Sequence, residues 1–414
     1  MDIKISPGRL EGSLEAISSK SDMHRALICA ALSDRETEIF CNVLSKDIEA
    51  TADCLRALGA EIAHDKEKGS FKLRPVDLEK KGNIQEKAEL FCGESGSTLR
   101  FIMPVAAALG GSFLLTGEGK LPERPMGPLL RELKSHGISL SSEKLPIVME
   151  GKLSGKDFEM EGNISSQFIT GLLLAFPLLD GEARLKLSFR LESSGYVDIT
   201  LSVMRAFGRE VEREGDSFYL KPSGKRGYIS PLSYRVEGDW SNSALWLCAD
   251  FLRGNSIAVT GLLQRSLQGD RAVTEVLSSL EREGDVTVDA SQIPDLVPAL
   301  SVCAAMRRGR TLFVNAGRLR IKECDRLSAI AENLERLGVS VRESADSLEI
   351  EGRESIEGGV RLPSYNDHRI AMSAAILATA CSKPVVIEGA EAVNKSYPGF
   401  FDDFRRLGGK ADVI

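Results

Sequence analysis

Residues able to hold and protonate anions recur along this chain in one kind of setting. Ser18-Ser19-Lys20-Ser21-Asp22-Met23-His24-Arg25 leads into the apolar run Ala26–Leu32. That order puts hydroxyls and a lysine on the first turn of a helix, where backbone N–H groups lack partners and anions are favoured. Arg25 falls one turn after Ser21, on the same face. Cys92-Gly93-Glu94-Ser95-Gly96-Ser97-Thr98-Leu99-Arg100 repeats the arrangement before Phe101, Asn163-Ile164-Ser165-Ser166-Gln167 before Phe168, and Tyr365-Asn366-Asp367-His368-Arg369 before Ile370. Ordinary N-capping accounts for any one of these turns. It does not require Lys20, Arg25, Arg100 or Arg369, because a cation disfavours a helix N-terminus unless an anion sits there. Together the four turns predict helix dipoles and cations converging on phosphates or carboxylates.

Three further segments are dense in charge. Leu121-Pro122-Glu123-Arg124-Pro125-Met126 braces an arginine between prolines, which restrict the backbone on both sides. Leu319-Arg320-Ile321-Lys322-Glu323-Cys324-Asp325-Arg326 mixes cations with carboxylates and, alone, reads as a solvated helix start with local ion pairs. Val393-Asn394-Lys395-Ser396-Tyr397-Pro398 sets a lysine just before a helix whose start is marked by Pro398. The four histidines (His24, His64, His136, His368) are too far apart for a metal motif, and the eight cysteines include no CxxC pair. Chemistry therefore falls to carboxylates, lysines and arginines, with no metal expected.

What must position these groups is a chain of 414 residues, enough for two or three domains. Hydrophobic residues make up 43% and charged residues 27%, which excludes a disordered or fibrous chain. Lys plus Arg number 53 against 60 for Asp plus Glu, a net charge of −7, so no global positive field exists to collect nucleic acid or anionic lipid. The start lacks the apolar core and cleavage site of a signal peptide, and no apolar run reaches the length of a spanning helix. The expectation is a cytoplasmic protein with neither a nucleic-acid nor a membrane partner.

A repeat tiles the sequence. Two apolar residues three apart, then glycine, then a strand-like segment occur at Leu55/Leu58/Gly59, Met204/Phe207/Gly208 and Leu334/Leu337/Gly338. Looser copies end at Gly137, Gly284 and Gly408. Each reads as a buried helix stripe closed by a left-handed glycine and followed by a strand, giving six small α/β modules. Packing into two globular domains of three modules suits this period better than an open array. The Pro-, Gly- and Ser-rich stretch Lys221–Pro231 has the composition of a linker and predicts a boundary near residue 230. Phe101–Leu109, Phe168–Phe176 and Ile370–Ala380 read as helices buried almost all round.

Lys20-Ser21-x-x-x-Arg25, Gly93-x-x-Gly96-Ser-x-x-Arg100, Arg124-Pro125-Met126, Ser165-Ser166-Gln167-Phe168, Ile293-Pro294-Asp295, Lys322-Glu323-x-Asp325-Arg326, Asp367-His368-Arg369 and Lys395-x-Tyr-Pro occur in that order. In this the chain closely resembles the 5-enolpyruvylshikimate-3-phosphate (EPSP) synthase family of enolpyruvyl transferases. The resemblance implies an α/β fold of two similar domains, each of three βαβαββ units, with the active site in the interdomain cleft. One domain would comprise residues 1–19 and 236–414, the other 20–235. It also implies transfer of the enolpyruvyl group of phosphoenolpyruvate to the 5-hydroxyl of shikimate 3-phosphate, with loss of phosphate through a tetrahedral intermediate. Both substrates are small molecules; no cofactor is needed, and a monomer is expected.

By the same resemblance, Lys20, Gly96, Arg124, Gln167, Arg326, Arg369 and Lys395 bind phosphoenolpyruvate. Ser21, Arg25, Ser165, Ser166, Gln167, Ser193, Tyr196, Asp295, Arg318 and Lys322 bind shikimate 3-phosphate. Guanidinium forks suit such carboxylates and phosphates. Asp295 and Glu323 are assigned to proton transfer, Asp295 toward the 5-hydroxyl and Glu323 toward C3, with Lys20 assisting; His368 is secondary. Because its phosphoenolpyruvate-binding residues come from both halves of the chain, closure around the substrate is expected. Gly96 lines the phosphoenolpyruvate pocket, so inhibition by glyphosate is expected too.

The chain departs from the family pattern at Glu94, where a neutral residue is usual, at Ser97 in place of Thr, and at Arg318 in place of Asn or His. A carboxylate at position 94, so near an anion site, calls for a cationic neighbour or a proton. The related UDP-N-acetylglucosamine transferases have Lys-Asn where this chain has Lys20-Ser21, and a reactive cysteine in the loop that here reads Gly117–Arg124 and holds none. An RNA-binding scaffold is opposed by the net acidity. Gly117-Glu-Gly-Lys120 lacks P-loop spacing, and Gly93-Glu-Ser-Gly96 misses the nucleophile elbow.

Overall fold

Each module is built on a helix that is apolar on nearly all sides and a second that is apolar on one. The computed structural model describes residues 1–79, 88–222 and 224–414. In it the six glycines of the repeat all take positive φ, between 71° and 105°; five of them lie two residues past a helix, at the left-handed position that ends it, whereas Gly284 lies four residues past Leu280. The helices come in pairs. They are α1 (Lys20–Ala31) with α2 (Lys46–Ala57), α3 (Gly96–Leu109) with α4 (Gly127–Ser135), and α5 (Ser166–Ala175) with α6 (Ser194–Ala206). Then come α7 (Trp240–Phe251) with α8 (Val273–Leu280), α9 (Val297–Met306) with α10 (Arg326–Arg336), and α11 (His368–Thr379) with α12 (Phe400–Arg406). The first of each pair is almost wholly buried, as the apolar runs from Phe101, Phe168 and Ile370 predict; the second shows one face to solvent.

Strands complete the modules. Ala88–Phe91, α3, Gly111–Thr116, α4, Ile138–Leu140 and Ile147–Gly151 run in the order βαβαββ. Among the described residues, five four-stranded sheets share one plan, a parallel pair followed by two antiparallel pairings. Ala183–Ser188 alternates buried and exposed along its length, the period of two expected of a half-covered strand. The fourth module is the exception. After Gly284 the chain passes directly to Val286–Asp289, which pairs in parallel with Arg310–Val314 and so opens the fifth module. Among the described residues no antiparallel hairpin follows α8, which is why the sequence interval from Gly284 to Gly338 is the shortest of the five.

The chain divides into a continuous unit, Ser18–Glu237, and a split unit, Met1–Ile17 with Gly238–Ile414. Pairing explains the split. Ile3–Ser6 lies between Val385–Glu388 and Lys410–Val413, antiparallel to both, so the first strand of the chain fills a gap in the last module. Glu11–Glu15 likewise pairs with Ser256–Thr260. The boundary expected near residue 230 is corrected to 237/238. Apart from Ser223, which lies outside the described residues, the Lys221–Pro231 stretch belongs to the body of the continuous unit. Tyr228 is 1% exposed and donates to Leu174 O at 2.9 Å, and Arg226 donates to Leu178 O and Ala108 O. Its glycines and prolines serve a packed irregular segment that ends in Ser233–Arg235, paired with Thr37–Phe40. Among the described residues no helix is long and apolar enough to cross a membrane.

In the continuous unit α3 and α5 meet at Gly171. A Cβ there would lie 2.1 Å from Arg100 O and 3.1 Å from Pro104 Cγ, so only glycine permits this approach. The same contact sets the distance between the polar first turns of the two helices. Gly171→Ala should therefore lower stability by roughly 1–3 kcal/mol through overpacking, read as a reduced urea midpoint.

Candidate active site

Each unit gathers polar groups at the starts of its inner helices. In the continuous unit Ser19 caps α1, Ser95 caps α3 and Ser165 caps α5, each accepting from a backbone N–H of the first turn. Capping thus explains the serines; the cations have other partners. Lys20 pairs with Asp47 at 2.8 Å. Arg100 donates to Gln167 Oε1 and to Pro125 O, with its guanidinium over the Phe168 ring. Gln167 in turn donates to Ser97 Oγ at 2.9 Å, which ties the α5 start to the α3 start. Arg124 lies flat against Gly96, where a Cβ would come within 2.6 Å of Nη1. Glu94, the departure from the family pattern, has its carboxylate against Gly119.

Arg25 is 2% exposed and spans three helices. It donates to Ser21 O, to the hydroxyls of Thr170 and Thr200, and to Tyr196 O at 2.9 Å, and it lies over Phe101. Burial lowers its pKa to about 10 against the pull of Asp22, which leaves it cationic at neutral pH. Ser193, buried and left-handed with φ 52°, begins the turn that Tyr196 N closes. Ser21, Arg25, Ser193 and Tyr196 are therefore one connected group, with Arg25 as its internal tie. Sequence reasoning missed Asp22 here: buried, it accepts from Tyr234 Oη at 2.8 Å and Glu237 N at 3.1 Å, and burial pushes its pKa up to about 6.

The split unit holds the denser ionic cluster. Arg326, 1% exposed, donates to Asp295 Oδ1, Glu323 Oε2 and Asp367 Oδ2, each at 2.7 Å. Lys322 Nζ stands 3.2 Å from the same Asp295 oxygen. Its pKa is lowered to about 8, by burial first and by Arg326 and Arg318 as well, against the attraction of Asp295. Arg369 donates to Asp295 O at 3.2 Å and to Ser241 Oγ at 2.7 Å. Lys395 is buried and donates to Asn366 O at 2.6 Å, which pins the left-handed Tyr365-Asn366 turn leading into α11. Arg318 lies on the short helical turn Gly317–Ile321, near enough to repel the Lys322 charge.

Leu319–Arg326, readable alone as a solvated helix start with local ion pairs, keeps two such pairs, Arg320 with Asp325 and Arg326 with Glu323, while Lys322 and the buried Arg326 also find Asp295 and Arg326 finds Asp367, so the solvated start becomes part of a buried network. Asp367 and Ser241 were not singled out as functional in sequence; each looks like an ordinary cap or loop residue. The polar Asp239-Trp240-Ser241-Asn242 start of α7 matched the pattern of the other four turns and was the signal available.

A family model of EPSP synthase (3-phosphoshikimate 1-carboxyvinyltransferase) matches residues 5–404. A 3-phosphoshikimate 1-carboxyvinyltransferase of Clostridium kluyveri is 43% identical, with 99% of this chain and 98% of that protein covered. One from Clostridium botulinum is 42% identical over 98% and 97%. Among solved structures, EPSP synthase from Acinetobacter baumannii superposes with a TM-score of 0.80 at 24% identity over the whole of both chains. The enolpyruvyl transferase NikO from Streptomyces tendae gives 0.78 at 17% identity, over 99% of this chain and 98% of that one. At such identities the two structures speak for the fold.

Removing one partner of a buried ion pair leaves an uncompensated charge. Asp367, fully buried and also the cap of α11 through Arg369 N, is the most costly to lose. Asp367→Ala should lose about 3–5 kcal/mol, and Glu323→Ala, at a partly exposed position, clearly less; urea unfolding of both variants ranks them.

Proposed function

The chain belongs to the EPSP synthase family, an enzyme of the shikimate pathway that feeds aromatic amino acid biosynthesis, and on that premise we propose how its residues divide the reaction. Phosphoenolpyruvate gains a proton at C3, and the developing positive charge at C2 is captured by the 5-hydroxyl of shikimate 3-phosphate, which gives up its proton. The tetrahedral intermediate then loses a proton from C3 and phosphate from C2, leaving the enolpyruvyl ether. The steps are proton transfers, formation of one C–O bond at C2 and loss of phosphate, so fixed carboxylates and cations suffice.

The observation that carries this reading is the pair Asp295 and Glu323, each held at 2.7 Å by one buried guanidinium. Arg326 fixes both carboxylates in place. Asp295 takes the 5-hydroxyl proton, Glu323 serves C3, and Lys20 assists, with His368 secondary. Arg369 and Lys395 in the split unit, and Lys20, Arg124 and Gln167 in the continuous unit, bind phosphoenolpyruvate. Arg326, with three carboxylates already upon it, contributes to that substrate chiefly by ordering its neighbours. Ser21, Ser165, Ser166, Gln167, Ser193, Tyr196, Asp295, Arg318 and Lys322 receive shikimate 3-phosphate, with Arg25 ordering its neighbours from behind. Gly96, on which Arg124 rests, makes room for phosphoenolpyruvate and so for glyphosate. The protein works as a cytoplasmic monomer.

Phosphate release from phosphoenolpyruvate should require shikimate 3-phosphate, be absent with UDP-N-acetylglucosamine, and fall on adding glyphosate. Asp295→Asn and Glu323→Gln should each lower kcat by roughly 100-fold or more; near-normal turnover in both folded variants would refute their assignment. A second outcome concerns Lys322, whose lowered pKa means that it loses its proton as pH rises through about 8. Affinity for the anionic shikimate 3-phosphate should fall across that interval, seen as a rising KM, and Lys322→Arg should carry the fall to higher pH.

A further inference from the structure

One turn below Lys20, on the same face of α1, lies a histidine that the reaction scheme does not use. His24 is 1% exposed, and Thr51 and Thr98 beside it are fully buried. His24 Nδ1 is 2.7 Å from Thr51 Oγ1, which is 2.7 Å from Thr98 Oγ1. Thr98 Oγ1 is in turn a donor, with Ser95 Oγ at 2.8 Å and Asp47 O at 3.3 Å as its acceptors. A hydroxyl has one proton to give, so the direction of the chain is set. Thr98 directs its proton onward and accepts from Thr51; Thr51 then accepts from His24, whose proton is on Nδ1. The other ring nitrogen, Nε2, is buried with no hydrogen-bond partner among the described residues. Protonating it would set an N–H where nothing accepts it and a second charge near Lys20, so the ring stays neutral. Burial first, then the charges of Lys20 and Arg25, hold its pKa well below the usual histidine value.

These bonds make the lower rung of a ladder between α1 and α2. The upper rung is the Lys20–Asp47 pair at 2.8 Å. Lys20 and His24 are four residues apart on one helix, and Asp47 and Thr51 four apart on the other, so the rungs lie one turn apart. Thr98, on α3, reaches both levels, since its hydroxyl meets Thr51 Oγ1 and the carbonyl of Asp47. It also meets Ser95, the cap of α3, which directly precedes Gly96. A lysine is a point charge on a flexible stem, so the place of the Lys20 ammonium follows whatever holds Asp47. Cutting the lower rung frees α2 to turn about its axis and carry Asp47 with it.

We propose that His24 is a positioning residue for phosphoenolpyruvate: by donating to Thr51 it locks α2 and α3 against α1, so that Asp47 holds Lys20, and Ser95 holds the Gly96 turn, where that substrate is received. Ser165, Ser166, Ser193 and Tyr196, which receive shikimate 3-phosphate, stand at the starts of α5 and α6 and outside the ladder, so the effect is selective. The inference rests on the reading above that Lys20 and Gly96 serve phosphoenolpyruvate.

The test is steady-state kinetics of His24→Leu, Thr51→Val, the double variant, the two conservative variants His24→Asn and Thr51→Ser, and Lys20→Met, with both KM values and kcat measured. His24→Leu and Thr51→Val should each raise KM for phosphoenolpyruvate about tenfold and leave KM for shikimate 3-phosphate within about twofold. The double variant should also be about tenfold worse, since the two residues act through one chain. His24→Asn, whose amide can donate in place of Nδ1, and Thr51→Ser, which keeps the hydroxyl, should stay within about threefold of the parent. A partly unfolded sample would lower kcat and leave both KM values alone, so misfolding cannot imitate this split, and the isosteric Thr51→Val reads the chain even where His24→Leu folds poorly. An unchanged phosphoenolpyruvate KM in Thr51→Val or in folded His24→Leu, an equal rise in both KM values, or a double variant showing the product of the single effects would overturn the proposal. If Lys20→Met raises that KM and Thr51→Val does not, the ladder alone fails. If Lys20→Met leaves both that KM and kcat unchanged, the assignment of Lys20 to phosphoenolpyruvate fails first.

Discussion

A guanidinium sealed from solvent among three carboxylates is the constraint on which the split unit depends. Arg326 cannot be buried without partners, and Asp295, Glu323 and Asp367 cannot approach one another without it. Three carboxylates exceed one guanidinium by two charges, which Lys322 and Arg369, both drawn to Asp295, offset. The network fastens the turn before α9, the start of α10 and the start of α11 to a common point, so that three segments far apart in sequence keep one geometry. Carboxylates held in this way have little freedom left to lose on meeting a ligand.

The repeat explains why such a point exists. Each module presents an inner helix whose first turn follows a strand, and side chains on those first turns reach one another within each unit. In the continuous unit Gln167 links the starts of α5 and α3, while Arg25 draws α1, α5 and α6 together. His24 Nδ1, Thr51 Oγ1 and Thr98 Oγ1 form a hydrogen-bonded chain that connects α1, α2 and α3. In the split unit Arg369 joins α11 to α7, and Arg326 joins α10 to α11 and to the turn before α9. One architectural rule, used six times, brings scattered residues within reach without any long excursion of the chain.

That rule was legible in the residues. Leu55/Leu58/Gly59 and four of its five relatives end helices as their spacing implies, and the apolar runs after Arg100, Gln167 and Arg369 are buried helices. Reading failed where structure depends on partners remote in sequence. Gly284 looks like the other five glycines, yet its strand opens the next module because the fourth lacks a hairpin. Lys221–Pro231 has the composition of a linker, yet Tyr228 and Arg226 bind it to helix ends 48 to 118 residues earlier. Cations could be recognised at helix starts because they violate the dipole preference. Their acidic counterpart Asp367 obeys every local rule and so carried no signal until its partners were seen.

The two clusters also differ in kind, and the difference bears on which can move protons. Around α1, α3 and α5, Arg25 and Arg100 donate to carbonyls, hydroxyls and an amide, and both lie over phenylalanine rings. Such groups recognise hydroxyls and anions but cannot exchange protons near neutrality, since arginine stays charged and serine stays neutral. At those starts Lys20 pairs with Asp47. Around α9, α10 and α11, by contrast, carboxylates and an easily deprotonated lysine crowd together, and ionisation of any one alters the rest. Burial and mutual repulsion bring Lys322 into the working range of pH, while Arg326 keeps Asp295 and Glu323 in position. Hydrogen bonding from arginines, hydroxyls and an amide thus predominates at the starts of the continuous unit, whereas the split unit crowds ionisable carboxylates around a lysine and two arginines, a difference that follows from the partners each arginine has found.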